Sequence, residues 1–305
     1  MSSILITGAS GFIGSHLAMR LFLEGHAVHI LLKKTSDPWR LSGGDFSYHE
    51  VDLCDEKALL KIVKKINPNF IYHFAAYGGY PEHIDLDKII QTNIIGTWNL
   101  LKATKEINYN FFINIGSFSE YGIKDYATKE LHSLNPSNYY SFSKVSQTLL
   151  CQQYAITEKK PINTLRLYNV YGPREAPTRL IPALFNGILE NKIVNLSAPE
   201  IVKDFVYVDD VIFACMRFLQ LNNLSGEIFN IGTGKGTTIK KIVDIVSSMS
   251  SEPVKCNWNC VSRPWDSKVS ISDCSKTNRM LGWRSNIGVS QGLKMYYEYF
   301  VNKNK

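Results

Sequence analysis

Tyr140-Ser-Phe-Ser-Lys144 puts a phenol and an ammonium four residues apart inside a helical pattern that runs over about 139–158. A phenol ionises near ~10 and is a poor base at neutral pH unless a cation lies beside it. Positions four apart on a helix share a face, so Lys144 can favour the ionised form of Tyr140. A tyrosine tuned in this way can exchange a proton with a substrate oxygen while a hydride moves at the attached carbon. The same spacing also arises by chance in helices. A second segment gives it context: Thr7-Gly-Ala-Ser-Gly-Phe-Ile-Gly-Ser-His-Leu17, directly after the apolar run Ile4-Leu5-Ile6. A buried strand turning sharply into a helix points the helix's unpaired N–H groups and its positive end at the turn. Gly8, Gly11 and Gly14 permit the tight turn, the close approach of a pyrophosphate and the packing of helix on sheet. Their spacing is G-x-x-G-x-x-G rather than the G-x-G-x-x-G of the Rossmann fingerprint. With Ser10, Phe12 and Ile13 between them, these residues form the expected dinucleotide turn.

The elements that must position these groups alternate in type. Apolar runs at 28–32, 70–74, 111–115 and 163–167 read as buried parallel strands, with a weaker one at 46–51. Helical patterns lie between them at about 12–24, 55–66, 88–106 and 139–158. This is the α/β pattern of a doubly wound parallel sheet, a Rossmann-type fold. After Tyr171-Gly172-Pro173 the regularity loosens. Residues 205–221 and 228–232 still read as parts of the main sheet layer. The domain expectation is therefore a dinucleotide-binding domain over 1–171, to which 201–251 partly returns. Residues 172–200 and 252–305 form a smaller C-terminal substrate lobe.

Composition is that of an ordered globular chain: 305 residues, 45% hydrophobic and 20% charged. The net charge of +7 is spread in lysine pairs such as Lys33-Lys34 and Lys64-Lys65, not gathered in a stripe, which argues against a nucleic-acid partner. No apolar run approaches the ~20 residues of a membrane span, and no signal-like segment precedes Ile4, so a cytoplasmic protein with no membrane partner is expected. The six cysteines are scattered. Cys256 and Cys260 have no matching Cys/His pair nearby, so free thiols and no metal are expected.

In these blocks, and in several later ones, the chain resembles the extended short-chain dehydrogenase/reductases of the NAD-dependent epimerase/dehydratase family, which act on nucleotide sugars. Asp52-Leu53 resembles the pair that contacts adenine, and His73-Phe74-Ala75-Ala76 resembles the segment lining the cofactor. Asn93 with Gly96-Thr97, Arg166-Leu-Tyr-Asn-Val-Tyr-Gly-Pro173, Asp204-Phe-Val-Tyr-Val-Asp-Asp210 and Asn230-Ile-Gly232 fit further family blocks. The resemblance implies that Ser117, Tyr140 and Lys144 are the catalytic set, with Tyr140 and Lys144 also touching the cofactor. It implies substrate contacts at Asn169 and Arg263, the latter in Ser-Arg-Pro-Trp-Asp266, and at Ser119 and Lys203. Lys203 stands where many members carry Arg, which replaces a bidentate fork with a point charge. Tyr77-Gly-Gly-Tyr80 and His83 read either as a hexose-facing segment or as loop packing.

Departures from the family pattern narrow the expected reaction. The family's 4,6-dehydratases carry an Asp-Glu pair after the catalytic hydroxyl, where this chain has Phe118 and Ser119. The GDP-fucose synthases carry a Cys and a His where this chain has Ser119 and Arg174. Simple hydride transfer at one carbon remains. At the end of the second strand, NAD-specific members carry an acidic residue; here Leu32 is followed by Lys33-Lys34, which read either as a solvated pair or as partners of a 2′-phosphate. On that basis the sequence favours NADP(H) over NAD(H). It favours an NADPH-dependent reductase of an NDP-4-keto-6-deoxyhexose, similar to the dTDP-4-dehydro-6-deoxyglucose reductases and CDP-abequose synthases. An NAD-dependent NDP-sugar 4-epimerase is the alternative. The resemblance also implies a homodimer through the helices at about 88–106 and 139–158.

Overall fold

The computed structural model describes residues 1–80, 83–258 and 267–303. In chain order the elements begin with β1 (Ser3–Thr7), α1 (Phe12–Leu23), β2 (Ala27–Leu32), β3 (Ser47–Glu50), α2 (Glu56–Ile66) and β4 (Phe70–His73). Next come α3 (Leu86–Ile90), a π-helical turn (Gln91–Ile95), α4 (Gly96–Ala103), β5 (Phe111–Ser117), a 3-10 turn (Phe118–Tyr121), α5 (Tyr139–Thr157) and β6 (Ile162–Leu167). They are followed by β7 (Asn169–Tyr171), α6 (Leu180–Leu189), β8 (Val194–Asn195), β9 (Val202–Lys203), β10 (Phe205–Tyr207), α7 (Val208–Arg217) and β11 (Ile228–Ile231). The C-terminal part adds β12 (Thr237–Thr238), α8 (Ile239–Ser247), β13 (Cys256–Asn257), β14 (Val269–Ser270), α9 (Ser275–Leu281) and α10 (Val289–Lys303).

The main sheet has seven strands in the order β11-β6-β5-β4-β1-β2-β3. The pairs β2–β3, β1–β2, β1–β4 and β4–β5 are all parallel. This is the doubly wound α/β architecture expected from the sequence. From β1 the chain proceeds outward to β2 and β3, then returns to build on the other side with β4 and β5. The order therefore reverses at the carboxyl ends of β1 and β4, where such sheets bind ligands. β5 is buried along its whole length, which is why Phe111-Phe-Ile-Asn-Ile reads as a continuous apolar run. Beneath the sheet, Leu5, Ile71, Leu100, Leu101, Phe112 and Ile162 share one apolar core with Cys151 and Tyr154 of α5.

The chain falls into two compact units. One comprises Met1–Glu120, Leu134–Arg166 and Ile212–Phe229; the other comprises Tyr121–Ser133, Leu167–Val211 and Asn230–Lys305. In the second unit Asp204 is a hub, accepting from the N–H groups of Thr233 (2.8 Å), Gly234 (3.0 Å) and Ser272 (3.1 Å). Asp210 similarly accepts from the N–H groups of Asn286 and Ile287 at 3.1 and 3.0 Å. The apolar run at Phe205 does not join the main sheet, contrary to expectation. β10 pairs in parallel with β7 instead, so its burial comes from a separate two-stranded ladder.

Candidate functional site

The turn after β1 is shaped by close approach. Gly8 has φ +70°, and a Cβ there would lie 2.5 Å from the Ala75 nitrogen, so only glycine brings β1 this close to the segment after β4. A Cβ on Gly14 would meet the Gly8 carbonyl at 2.5 Å, which fixes α1 against the turn. No side chain caps the N-terminus of α1, whose first N–H groups are thus available to an anion. A cleft of about 270 Å³ opens here, lined by Thr7, Gly8, Ser10 and Gly11 from the turn and by Phe74, Ala75, Ala76 and Tyr77 after β4. Leu31, Lys33, Ser36, Val51 and Leu53 line it away from the turn, with Lys88 and Thr92 from the helical segment after β4. Phe12, Ile13 and Gly14 belong to the first turn of α1, behind that lining.

Lys33 pairs with Asp52 at 3.3 Å. Burial alone would raise the Asp52 carboxyl, but the Cys54 N–H and the Lys33 ammonium together hold it below the usual carboxylate range. Arg40, stacked 4.3 Å over Trp39, donates to the Ser10 carbonyl of the turn at 3.2 Å.

Ser117, Tyr140 and Lys144 fall in one unit, on the end of β5 and the first turns of α5. A reciprocal cap starts α5 immediately before Tyr140. Asn138 accepts from the Ser141 N–H at 2.8 Å, and the Ser141 hydroxyl accepts from the Asn138 N–H at 3.0 Å. Gly78, at φ +103°, packs against the Tyr140 ring, since a Cβ there would lie 3.0 Å from Cδ2. A Cβ at position 79 would lie 3.8 Å from the phenol oxygen, an ordinary contact, which places the Gly78-Gly79 segment against the Tyr140 ring and hydroxyl. Tyr77 stacks on His83 with centroids 4.1 Å apart, and Lys88 sits 4.6 Å over the Tyr77 ring.

Lys144 is buried and donates to the Ile115 carbonyl and to Gln147 Oε1. Burial pushes its ammonium down to about 8, with Glu120 and Cys151 opposing the shift. The Ser117 hydroxyl lies 2.8 Å from that of Ser119 and accepts the Ser119 N–H at 3.2 Å. It thus satisfies local backbone while sitting beside α5.

Two residues hold this set together: Glu120, which the sequence reading did not single out, and Asn93, which it named only as part of a family block. Glu120 Oε1 accepts from the Ser117 N–H at 2.8 Å and the Thr148 hydroxyl at 3.1 Å; its Oε2 accepts from Arg166 at 2.7 Å. Asn93, in the π turn, accepts from the Tyr77 N–H and donates to Ser143 on α5, both at 2.8 Å. An arginine inside the apolar strand Asn163-Thr-Leu-Arg-Leu167 was the available signal for Glu120, because a buried guanidinium requires an acceptor.

Asn169 and Lys203 lie in the second unit. The Asn169 amide donates to the Asp204 carbonyl at 3.2 Å and the Ser270 hydroxyl at 3.3 Å, and Lys203 is half-buried on β9. Arg263 and Cys260 lie outside the described residues. Among those described, no group of three His, Cys, Asp or Glu side chains is placed to hold a metal, and no helix is long and apolar enough to cross a membrane.

Residues 4–232 match the NAD dependent epimerase/dehydratase family. The chain belongs to this family. It is 28% identical over 308 residues to the UDP-glucuronate 4-epimerase of Thermodesulfobacterium geofontis, covering 96% of this chain and 94% of that one. With the dTDP-D-glucose 4,6-dehydratase of Dictyostelium discoideum it shares 30% identity over 275 residues, covering 80% of this chain but 62% of the dehydratase. The structure of the Bacillus cereus UDP-glucuronic acid 4-epimerase, in complex with UDP-glucuronic acid and NAD, superposes with a TM-score of 0.89 at 29% identity, covering 98% of this chain and 99% of that one. These relatives are 4-epimerases and a dehydratase, not 4-ketoreductases. The expected likeness to the reductases therefore stands only at the level of the family, and the neighbouring structure holds NAD rather than NADP.

Proposed function

We propose that the chain is an NAD-dependent 4-epimerase of a nucleotide sugar, with uridine diphosphate sugars as the first substrates to test. What carries this reading is that Ser117 ends β5 and Tyr140 and the buried Lys144 lie on the first turns of α5, in the unit that also holds the cleft, with no acid–base pair next to Ser117. Phe118 and Ser119 stand where elimination of water would need a second acid and base, which speaks against the dehydratase reaction of the Dictyostelium relative. The likeness to the two 4-epimerases supports the same choice.

When bound, the nicotinamide supplies a reversible hydride acceptor. Tyr140 takes the proton of the sugar's 4-hydroxyl and later returns one to the 4-oxygen, Lys144 favours the phenolate, and Ser117 donates to the same oxygen. Among the other proposed contacts, Ser119, Asn169, Lys203 and Arg263 serve the sugar nucleotide.

One feature favours a second reading, the NADPH-dependent 4-ketoreductase. Lys33 and Ser36 line the cleft at the end of β2, where the strand ends in Leu32 rather than an acidic residue and the nearby Asp52 carboxylate is paired with Lys33. A single experiment separates the two. The purified protein is incubated with UDP-glucose and UDP-glucuronate, and in parallel with NADPH and nucleotide-linked 4-keto-6-deoxyhexoses. The epimerase reading expects interconversion of C4 epimers by NMR, NAD released on denaturation and no net consumption of cofactor. Stoichiometric NADPH loss with a keto sugar, and no epimerisation, would replace it with the reductase.

We also propose that two copies pair through α3–α4 and α5. Phe142, Leu149 and Ile156 recur every seventh residue on α5 and are 52%, 47% and 64% exposed, with Ile90 and Trp98 also exposed on the neighbouring helices. Sedimentation is expected to give the mass of two 34.6-kDa chains, and Leu149→Lys with Phe142→Lys to give that of one.

A further inference from the structure

We propose that Gln147 is a positioning residue for Lys144: its side-chain carbonyl accepts from the ammonium, and a hydrogen-bond network that converges on Thr97 from the glycine turn and from Gln147 holds that carbonyl in place. The Thr97 hydroxyl donates its one proton to the Asn93 carbonyl at 2.7 Å. Toward its other neighbours it can only accept, from Gln147 Nε2 at 3.0 Å and from His73 Nε2 at 2.8 Å. The His73 proton therefore sits on Nε2, and Nδ1 accepts from the Thr7 hydroxyl at 2.6 Å, which itself accepts the Ala75 N–H at 3.3 Å. With the Gln147 amide nitrogen committed to Thr97, its oxygen is the atom turned to Lys144. Thr7 lines the nucleotide cleft, so the network joins the cofactor turn to the lysine through buried side chains alone.

The choice of an amide matters. A carboxylate at this position would neutralise the ammonium and weaken its field on Tyr140; an amide solvates the charge without cancelling it. The other groups facing Lys144 fit this arrangement. Glu120, from the 3-10 turn, is tied to Arg166 of β6. His73 of β4 is kept neutral, its imidazole pushed down to about 3 by burial and by the Lys144 charge. Cys151 of α5 is pushed up to about 12 by burial and is uncharged. Tyr140 stands one turn back on α5.

The inference rests on the proposed roles of Tyr140 and Lys144, and its test separates the two. Gln147→Met keeps the volume and removes the acceptor; Gln147→Glu adds a carboxylate. The Lys144 titration is followed by NMR of isotope-labelled lysine in the full chain, and turnover is followed from neutral to alkaline pH. Losing the acceptor destabilises the ammonium, so the methionine variant is expected to titrate, and to lose turnover, about one pH unit lower. The glutamate variant is expected to do both about one unit higher. Both variants titrating as the parent, or both merely losing turnover without opposite shifts, would reduce Gln147 to packing and overturn the proposal. A Tyr140→Phe variant that kept full turnover would instead overturn the catalytic reading, whatever the lysine titration showed.

Discussion

Tyr140→Phe is expected to lower turnover by roughly 100- to 10 000-fold while leaving nicotinamide dinucleotide affinity within about threefold of the parent. The size of the loss follows from what the phenol does. Oxidation at C4 requires the hydroxyl proton to leave as the hydride departs, and an unassisted sugar hydroxyl holds its proton far too tightly at neutral pH. A phenol beside a buried ammonium is close enough in acidity to take that proton and give it back. Affinity should survive because the cleft is lined by the β1 turn, the segments after β2, β3 and β4, and Lys88 and Thr92, and Tyr140 is not among these residues. Phenylalanine also preserves the ring that packs beneath Gly78, where a Cβ would already be 3.0 Å from Cδ2. The measurement pairs steady-state turnover with a fluorescence titration of the reduced dinucleotide. Retained turnover would remove Tyr140 from the chemistry, whereas lost affinity would show that the ring holds the cleft as well.

The sequence made the frame of this site legible where local physics is strong. Ile4-Leu-Ile6 before closely spaced glycines can hardly be anything but a buried strand entering a tight turn, and the positive φ at Gly8 bears this out. Phe111-Phe-Ile-Asn-Ile115 has no polar alternation because both faces of β5 are covered. The single helix expected over about 88–106 instead begins at Leu86, capped by Asp85, and contains the π turn. A π turn adds one residue to the ring of a backbone hydrogen bond and leaves no composition signature, yet it places Asn93 between Tyr77 and Ser143. Glu120 and Gln147 were hidden for a different reason. A charged or amide side chain normally reads as surface, and what buries these two are partners far along the chain: Arg166 for one, Thr97 for the other. Phe205-Val-Tyr207 shows the converse, an apolar run whose burial was correctly implied but whose ladder was not, because apolarity does not name the neighbouring strand.

Glu120→Ala is expected to cost about 3–5 kcal/mol of folding stability, which for a chain of this size lowers the melting temperature by roughly 10 °C. Both partners are almost fully inaccessible, Glu120 at 0% and Arg166 at 1% exposure, so water cannot take over the carboxylate's work. The alanine leaves a buried guanidinium without its counter-ion, and the Ser117 N–H and Thr148 hydroxyl without the oxygen they share. Gly116 sharpens the constraint: a Cβ there would lie 2.6 Å from Glu120 Oε1, so the backbone approaches the carboxylate as closely as it can. Replacing both partners by apolar residues of similar volume, Glu120→Leu with Arg166→Met, removes the stranded charge and is expected to recover most of the melting temperature. Turnover is not expected to recover with it, because the Ser117 N–H still lacks its acceptor and the hydroxyl is no longer held beside α5. Calorimetry on both variants, with turnover measured on the same samples, separates the two contributions. A double variant that regained activity along with stability would make the pair a matter of folding alone. A single variant that melted with the parent would mean that the guanidinium finds another acceptor.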